Sequence, residues 1–272
     1  MGKVIIIASG KGGTGKTTLT ANLAAALALQ KKSVIAVDLD MGLRNLDVAL
    51  GMESSIVFDI ADVVEGYAEL DDALIKDSRF ESLFFIPAPQ TRSSISLERD
   101  SEADIWRSLW ERLAERFDYC LIDAPAGVDG GFIYGAYGAD CAIIVTHAET
   151  AALRDADRVI SLLEDKGIDD IRLVINRIRP ELIERGIMPD IDRCLDMLRV
   201  PLLGIIPDDL ELTLCSLKGE LAVNAQNSAA AAAIESIARR ITGEHVPVTD
   251  FERAQRTSIW KRLRGFLGFG KE

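Results

Sequence analysis

The chain has 272 residues, 48% hydrophobic and 27% charged, a length and balance that favour one large folded α/β domain over two domains or a disordered chain. Its formal net charge of −12 argues against a protein that coats nucleic acid, which would carry a basic face. Cys120, Cys141, Cys194 and Cys215 are far apart and form no C-x-x-C pair, so neither zinc nor an iron–sulfur cluster is expected, and a reduced cytosolic compartment fits.

Met1-Gly2-Lys3 runs into an apolar stretch, Val4–Ala8, too short for a signal peptide and better read as a strand. No apolar stretch approaches the length of a membrane span. Ile6 stands where a myristoylation motif needs Ser or Thr. The strand is followed by Gly10-Lys11-Gly12-Gly13-Thr14-Gly15-Lys16-Thr17 and then by a helical pattern over 17–30. Strand, glycine-rich loop and helix with G-x-x-x-x-G-K-[ST] spacing define a phosphate-binding loop. Glycines let consecutive N–H groups turn toward an anion, and the helix start adds free N–H groups and a partial positive charge. Lys16 is expected between the β- and γ-phosphates, and the Thr17 hydroxyl on Mg²⁺. Lys11, a second lysine just after the first glycine, is either a solvated loop residue or part of the site.

Further strands are expected at 33–38, 83–87, 119–123, 141–146, 172–176 and 202–206. Helices are expected at 102–116, 153–166, 190–198 and 228–242, with short ones at 58–64 and 71–76. Continuous apolar strands alternating with amphipathic helices predict a mostly parallel sheet covered on both faces. Ligands of such sheets lie beyond the carboxyl ends of the strands. The second strand ends in Asp38-Leu39-Asp40, two carboxylates that can hold Mg²⁺ through water, position an attacking water, or simply cap a turn. Residues 90–100 read as a polar loop. Trp106 and Trp110, four apart, read as packing residues. Tyr119-Cys120-Leu121-Ile122-Asp123 is an apolar run ending in a carboxylate. Alone this could be an ordinary strand end; with a phosphate loop two strands away it reads as a water-mediated Mg²⁺ ligand. Gly127 offers a flexible turn whose N–H could sense the γ-phosphate. Asp155 and Asp157 open a helix and could serve its dipole. Asn176 can hydrogen-bond both donor and acceptor on an adenine edge, and the absence of N-K-x-D disfavours guanine.

Composition changes after Pro247. Residues 252–272 carry six Lys/Arg against two Glu, a net +4 that leaves −16 on the rest. Ile259, Trp260, Leu263, Phe266 and Leu267 share roughly a 120° arc of a helix, with Lys261, Arg262 and Arg264 beside or opposite it. This is the pattern of an interfacial anchor, with docking onto the body or into a partner's groove as alternatives. At about four turns, and with Gly265 and Gly268 inside it, such a helix is marginal alone. Basic residues near an anionic surface strengthen it, and two copies side by side bind far more tightly than one.

K-G-G-x-G-K-[ST] at residues 11–17, D-x-D followed by G-L-R-N-L-D at 38–47, and D-x-P-A-G at 123–127 resemble the MinD group of deviant Walker A ATPases. The resemblance spans essentially the whole chain. It implies ATP and Mg²⁺ as cofactors, contacted by Lys11, Gly12, Gly13, Thr14, Gly15, Lys16, Thr17 and Thr18. It implies that Lys11 crosses a homodimer interface to the partner's nucleotide, that Asp40 positions the hydrolytic water, and that Asn45 lies at the dimer face. It puts Asn176 and Arg177 on the base, with Pro207 and Asp208 closing its other side. Asp155 and Asp157 become partner contacts. His147 departs from the group's pattern and receives no role. The resemblance further implies a division inhibitor, MinC, and a topological regulator such as MinE as partners, and anionic lipid on the cytoplasmic face of the inner membrane as the surface. The expected organisation is an ATPase domain over 1–247, a linker over 248–254 and a membrane-targeting helix over 255–272. Partitioning ATPases of the ParA type share the loop but need a basic surface for DNA. A flagellar-number ATPase of the same subgroup could share the tail.

Overall fold

The computed structural model describes residues 1–248 apart from 54–55, 91–94, 96–98, 129 and 226. The tail helix, nearly all of the linker and most of the 90–100 loop therefore lie outside the described residues. Along the chain, β1 (Lys3–Ser9) leads through α1 (Lys16–Leu29) to β2 (Val34–Asp38). Three short helices follow, α2 (Leu46–Leu50), α3 (Ile60–Val64) and α4 (Leu70–Ala73), then β3 (Ile75–Lys76) and β4 (Leu83–Ile86). Next come α5 (Arg99–Arg116), β5 (Tyr119–Ala126), α6 (Gly130–Ala136), β6 (Cys141–His147) and α7 (Thr150–Asp165). The last part holds β7 (Ile171–Ile178), α8 (Pro180–Glu184), α9 (Ile191–Leu198), β8 (Leu202–Pro207), α10 (Leu210–Leu217) and α11 (Ala229–Ile241).

The strands form one sheet in the order β3-β4-β2-β5-β1-β6-β7-β8. Every pairing is parallel except β3 with β4. β1 is central because both its faces are buried: Val4, Ile6 and Ala8 enter one core, Ile5 and Ile7 the other. That split is the two-residue alternation of a pleated strand. α5, α6, α7 and α9 cover the first face, and α1, α2 and α11 the second. α1 is apolar nearly all round, with eleven of its fourteen residues buried, as a helix clasped between a sheet and other helices must be. Its one interior amide is held at both ends: Asn22 Nδ2 donates to the Thr18 carbonyl and Oδ1 accepts from Ala222 N–H, 2.7 Å.

Three sequence expectations change. Residues 71–76 are not one helix: α4 stops at Ala73, and Ile75 and Lys76 pair antiparallel with Phe85 and Phe84. A β-branched residue beside an open sheet edge prefers the ladder to a further helical turn. β5 is not two strands from the phosphate loop but hydrogen-bonds β1 directly. Four helices, α2, α6, α8 and α10, were not expected. α6 is rich in glycine because α6 packs closely: a Cβ at Gly131 would lie 2.2 Å from the Leu39 carbonyl.

Trp106 and Trp110 are buried, as expected. Trp106 stacks on Tyr134 at 4.8 Å and on Trp110 at 5.6 Å, while Trp110 Nε1 donates to the Tyr134 carbonyl. Trp106→Ala should therefore cost about 3–5 kcal/mol of folding stability. Urea denaturation followed by circular dichroism measures this; a loss below about 1 kcal/mol would contradict the packing role.

Candidate nucleotide site

The carboxyl ends of β1, β2 and β5 lie side by side, so their terminal residues converge. Between β1 and α1 the loop turns through left-handed backbone at Gly13 (φ 79°) and Gly15 (φ 93°). L-residues rarely adopt that conformation. Gly15 is constrained twice, since a Cβ there would also lie 2.3 Å from Asn176 Nδ2. Gly10 lies against α7: a Cβ would sit 2.2 Å from the Asp155 backbone. Ser9 Oγ donates to the Lys11 carbonyl, 2.8 Å, fixing the loop's first turn.

At the far side of the loop, Thr17 Oγ1 donates to Asp123 Oδ2 at 2.7 Å. Thr20 Oγ1, one helical turn on, lies between Asp123 Oδ1 (3.2 Å) and the Lys16 carbonyl (2.9 Å). Asp123 faces Asp38 across the β2/β5 register. Asp38 is fully buried, and both its oxygens are used: Oδ1 accepts from Asp40 N–H (2.8 Å), Oδ2 from Leu46 N–H (3.1 Å). The capping alternative thus holds for Asp38, which fixes the start of α2, while Asp40 remains half-buried beside Lys16.

These groups form one electrostatic unit. Burial pushes the Asp123 carboxyl up to about 6, against the hydrogen bonds of Thr17 and Thr20 and the charge of Lys16. Burial, then the neighbouring Asp123 charge, drives Asp38 well above the carboxylate range. Asp40 is raised by burial and drawn back by Lys16. Lys16 is lowered by burial and held up by Asp123, Asp40 and Asp38. Hydroxyl and carboxylate oxygens are the donors a hard divalent cation takes, and such a cation would relieve the raised carboxyls. Among the described residues no group of three or more His, Cys, Asp or Glu is arranged to hold a metal ion by itself. This donor set would suit Mg²⁺ held by one hydroxyl, water and phosphate oxygens; Thr17 would then be its direct protein ligand, with Asp123 and Asp40 behind water.

The remaining expected residues fall around this cluster. Lys11, Gly12 and Gly13 are exposed at the loop's outer turn, Thr14 is buried, and Thr18 is half-buried in the first turn of α1. Asn45 is exposed at the start of α2, with no capping hydrogen bond of its own. Asn176, at the carboxyl end of β7, is buried; Nδ2 donates to the Thr14 carbonyl (2.7 Å) and Oδ1 accepts from Arg177 N–H (2.9 Å). One hydrogen and one lone pair of that amide are left for a ligand. Arg177 is exposed and holds a left-handed backbone, φ 54°. Pro207 ends β8, and Asp208 pairs with Arg179 at 2.6 Å. Two expectations fail in detail. Gly127 N–H donates to the Ser9 carbonyl at 2.9 Å and does not point freely at the site. Asp155 and Asp157 are exposed on α7 but lie past its first turn, which holds no acidic residue, so they do not serve the helix dipole. Thr20 was missed as a site residue; its signal was a threonine one helical turn after Thr17.

A phosphate loop, a paired acidic strand end and a buried lysine between them define a P-loop nucleotide-binding domain, here with the additional lysine at position 11. Residues 5–223 match the CobQ/CobB/MinD/ParA nucleotide binding domain family. The chain is 45% identical to the septum site-determining protein MinD of Synechocystis over 269 residues, 98% of this chain and 100% of that protein. It is 44% identical to the MinD of Bacillus subtilis over 270 residues, 98% and 99% of the two chains. Among solved structures, the MinC:MinD cell division protein complex of Aquifex aeolicus contains a chain that matches with TM-score 0.83 and 41% identity, over 91% of this chain and 98% of that one. MinD of Pyrococcus horikoshii, complexed with Mg-ADP, matches with TM-score 0.77 and 30% identity, over 89% and 97%. The chain belongs to this nucleotide-binding ATPase family, on its MinD branch.

The sign of the Asp123 shift sets a test. A folded-state pKa above the unfolded value means the folded protein binds the proton more tightly. Its stability contribution is then fully present below the unfolded pKa and is lost as pH rises toward about 6. Asp123→Asn should raise the melting temperature of the nucleotide-free protein at pH 7.5, and the gain should shrink toward pH 4. Equal stabilisation at both pH values would remove the electrostatic cause.

Proposed function

We propose that this chain is a Mg²⁺-dependent ATPase of the bacterial division-site selection system, whose ATP-bound form pairs, binds the membrane and carries a division inhibitor there. The observation that carries this reading is the convergence of Lys16, Thr17, Asp40 and Asp123 with two exposed residues, Lys11 and Asn45, at the same carboxyl edge. Lys16 and the loop N–H groups bind the β- and γ-phosphates, and Thr17 and Asp123 orient the cation. Mg²⁺ would neutralise charge on the transferring phosphoryl group. Asp40, held beside Lys16, orients the attacking water. Asn176 and Arg177 meet one side of the adenine, Pro207 and Asp208 the other. Lys11 reaches the nucleotide of a second copy and Asn45 lies across the seam, so pairing requires the triphosphate.

Pairing brings two C-terminal segments together. Each carries Ile259, Trp260, Leu263, Phe266 and Leu267 for the acyl boundary and Lys261 and Arg264 for anionic headgroups; the doubled contact gives the membrane affinity one segment lacks. Hydrolysis separates the copies and releases them. Among the described residues no helix is long and apolar enough to cross a membrane, so attachment on this reading is peripheral, at the cytoplasmic face of the inner membrane. Exposed Asp155 and Asp157 face outward from α7 as contacts for MinC, the partner present in the Aquifex complex; a regulator of the MinE kind would stimulate hydrolysis. A ParA-type DNA function is disfavoured by the −16 carried ahead of the tail.

Co-sedimentation with anionic liposomes, with ATP, ADP or no nucleotide, tests the reading. Wild type should pellet with ATP only, Lys16→Ala should stay soluble throughout, and removal of residues 255–272 should abolish pelleting while leaving ATP binding intact. Equal pelleting in all three nucleotide states would overturn it. Asp40→Ala should still pair with ATP but turn over at least about tenfold more slowly; wild-type turnover would remove Asp40 from the mechanism.

A further inference from the structure

β8 ends at Pro207, and the chain turns through Asp208 and Asp209 into α10. α10 buries none of its eight residues, so its packing does not fix the turn that precedes it. α11 is the opposite case: Ala230, Ile234, Ile237 and Ala238 are buried in the core it shares with α1. Asp209 joins the two helices. Its Oδ1 accepts from Glu211 N–H at 2.8 Å and caps α10, while its Oδ2 accepts from the Ser228 hydroxyl and from Ala230 N–H, each at 2.9 Å. Ser228 is buried, and its Oγ in turn accepts from Ala231 N–H at 2.9 Å. One carboxylate thus serves the free N–H groups of two helix starts, where both dipoles favour negative charge. Burial alone would raise the Asp209 carboxyl; the donors of Ala230, Ser228 and Glu211 outweigh it and hold the group below its ordinary value. On the other side of the turn, Asp208 N–H donates to the Ile178 carbonyl at 3.0 Å, and the Asp208 carboxylate takes Arg179 Nε at 2.6 Å. The turn is therefore tied in front to the end of β7, which carries Asn176 and Arg177, and behind to α11.

We propose that Asp209 is a positioning residue for base recognition, its tie to α11 holding Pro207 and Asp208 in place against the adenine. The inference rests on the reading that Pro207 and Asp208 close one side of the base, and deepens it. A turn followed by an unpacked helix would otherwise have to be ordered at each binding event, at a cost in affinity. Anchorage to a buried helix removes that cost in advance. The cap on α10 and the tie to α11 are separable by side-chain length. A serine caps a helix well, but it has one oxygen, a bond nearer the backbone, and cannot also serve Ser228 and Ala230. An asparagine keeps one oxygen at carboxylate reach, and that oxygen can accept from both Ser228 and Ala230.

The experiment titrates the full chain, as wild type, Asp209→Ser and Asp209→Asn, with two magnesium-bound ligands by calorimetry. One is a non-hydrolysable ATP analogue; the other is inorganic tripolyphosphate, which offers the phosphates without a base. Ligand-free melting temperatures are measured alongside. Asp209→Ser should bind the analogue about fivefold more weakly while its tripolyphosphate affinity stays within about twofold of wild type. Asp209→Asn should recover analogue binding to within about twofold. A role in folding alone would lower the melting temperature of Asp209→Ser without moving the ratio of the two affinities, and that result overturns the proposal. Equal impairment of Asp209→Asn and Asp209→Ser also overturns it. If Asp209→Ser does not purify, Ser228→Ala, which removes one α11 donor, takes its place, and an unchanged ratio there counts against the proposal in the same way. Wild type that binds tripolyphosphate as tightly as the analogue would refute the base-side reading of Pro207 and Asp208, and this inference with it. A wild-type preference for the analogue that Asp209→Ser leaves intact would refute this inference alone.

Discussion

Much of the site depends on a single hydrogen bond, from Thr17 Oγ1 to Asp123 Oδ2 at 2.7 Å. It joins the first turn of α1 to the end of β5, and so ties the phosphate loop to the acidic strand end that must face it. The adjacency of β1 and β5 makes the bond geometrically available. The burial of Asp123 makes it strong, because in a low-dielectric setting a charge-assisted hydrogen bond is poorly challenged by water. The cost is visible in the same residues. Three carboxyls and one ammonium are crowded together, with two of the carboxyls fully buried, and the carboxyl protons are held more tightly than usual. Such an arrangement is poorly suited to stability alone and well suited to a ligand that brings positive charge.

Asp38 extends the same logic outward. Its two oxygens hold Asp40 N–H and Leu46 N–H at once. The residue proposed to orient water and the helix that starts beside Asn45 are therefore pinned to one buried carboxylate. A displacement at Asp40 is transmitted to α2 within eight residues of chain, without any long relay.

The loop, the D-x-D segment and the Asp123 strand end were legible in sequence because their chemistry requires fixed spacings that chance seldom supplies together. The parallel sheet was legible because strands such as Val4–Ala8 are apolar on both faces. Strand neighbours were not: nothing local in Tyr119–Asp123 states that it lies against β1. α6 was hidden by glycines that weaken helix propensity but are demanded by contact with Leu39 and Pro125. α10 was hidden because it buries no residue and so shows no periodic inward face. The pairing of Asn176 with Thr14 was also invisible, since it depends on two residues 162 apart in sequence. It shows the amide bracing the loop in addition to any role at the base.

Arg240 illustrates a different kind of control. Its guanidinium reaches the Leu203 carbonyl, at the amino end of β8, and the carbonyls of Val246 and Pro247. The described chain therefore ends at the pole opposite the phosphate loop, held there by Arg240 and by Val248, which packs against the core. The exit of the described chain therefore shares no side-chain contact of Arg240 with Asp38, Asp40 or the phosphate loop, and is set by the opposite edge of the sheet.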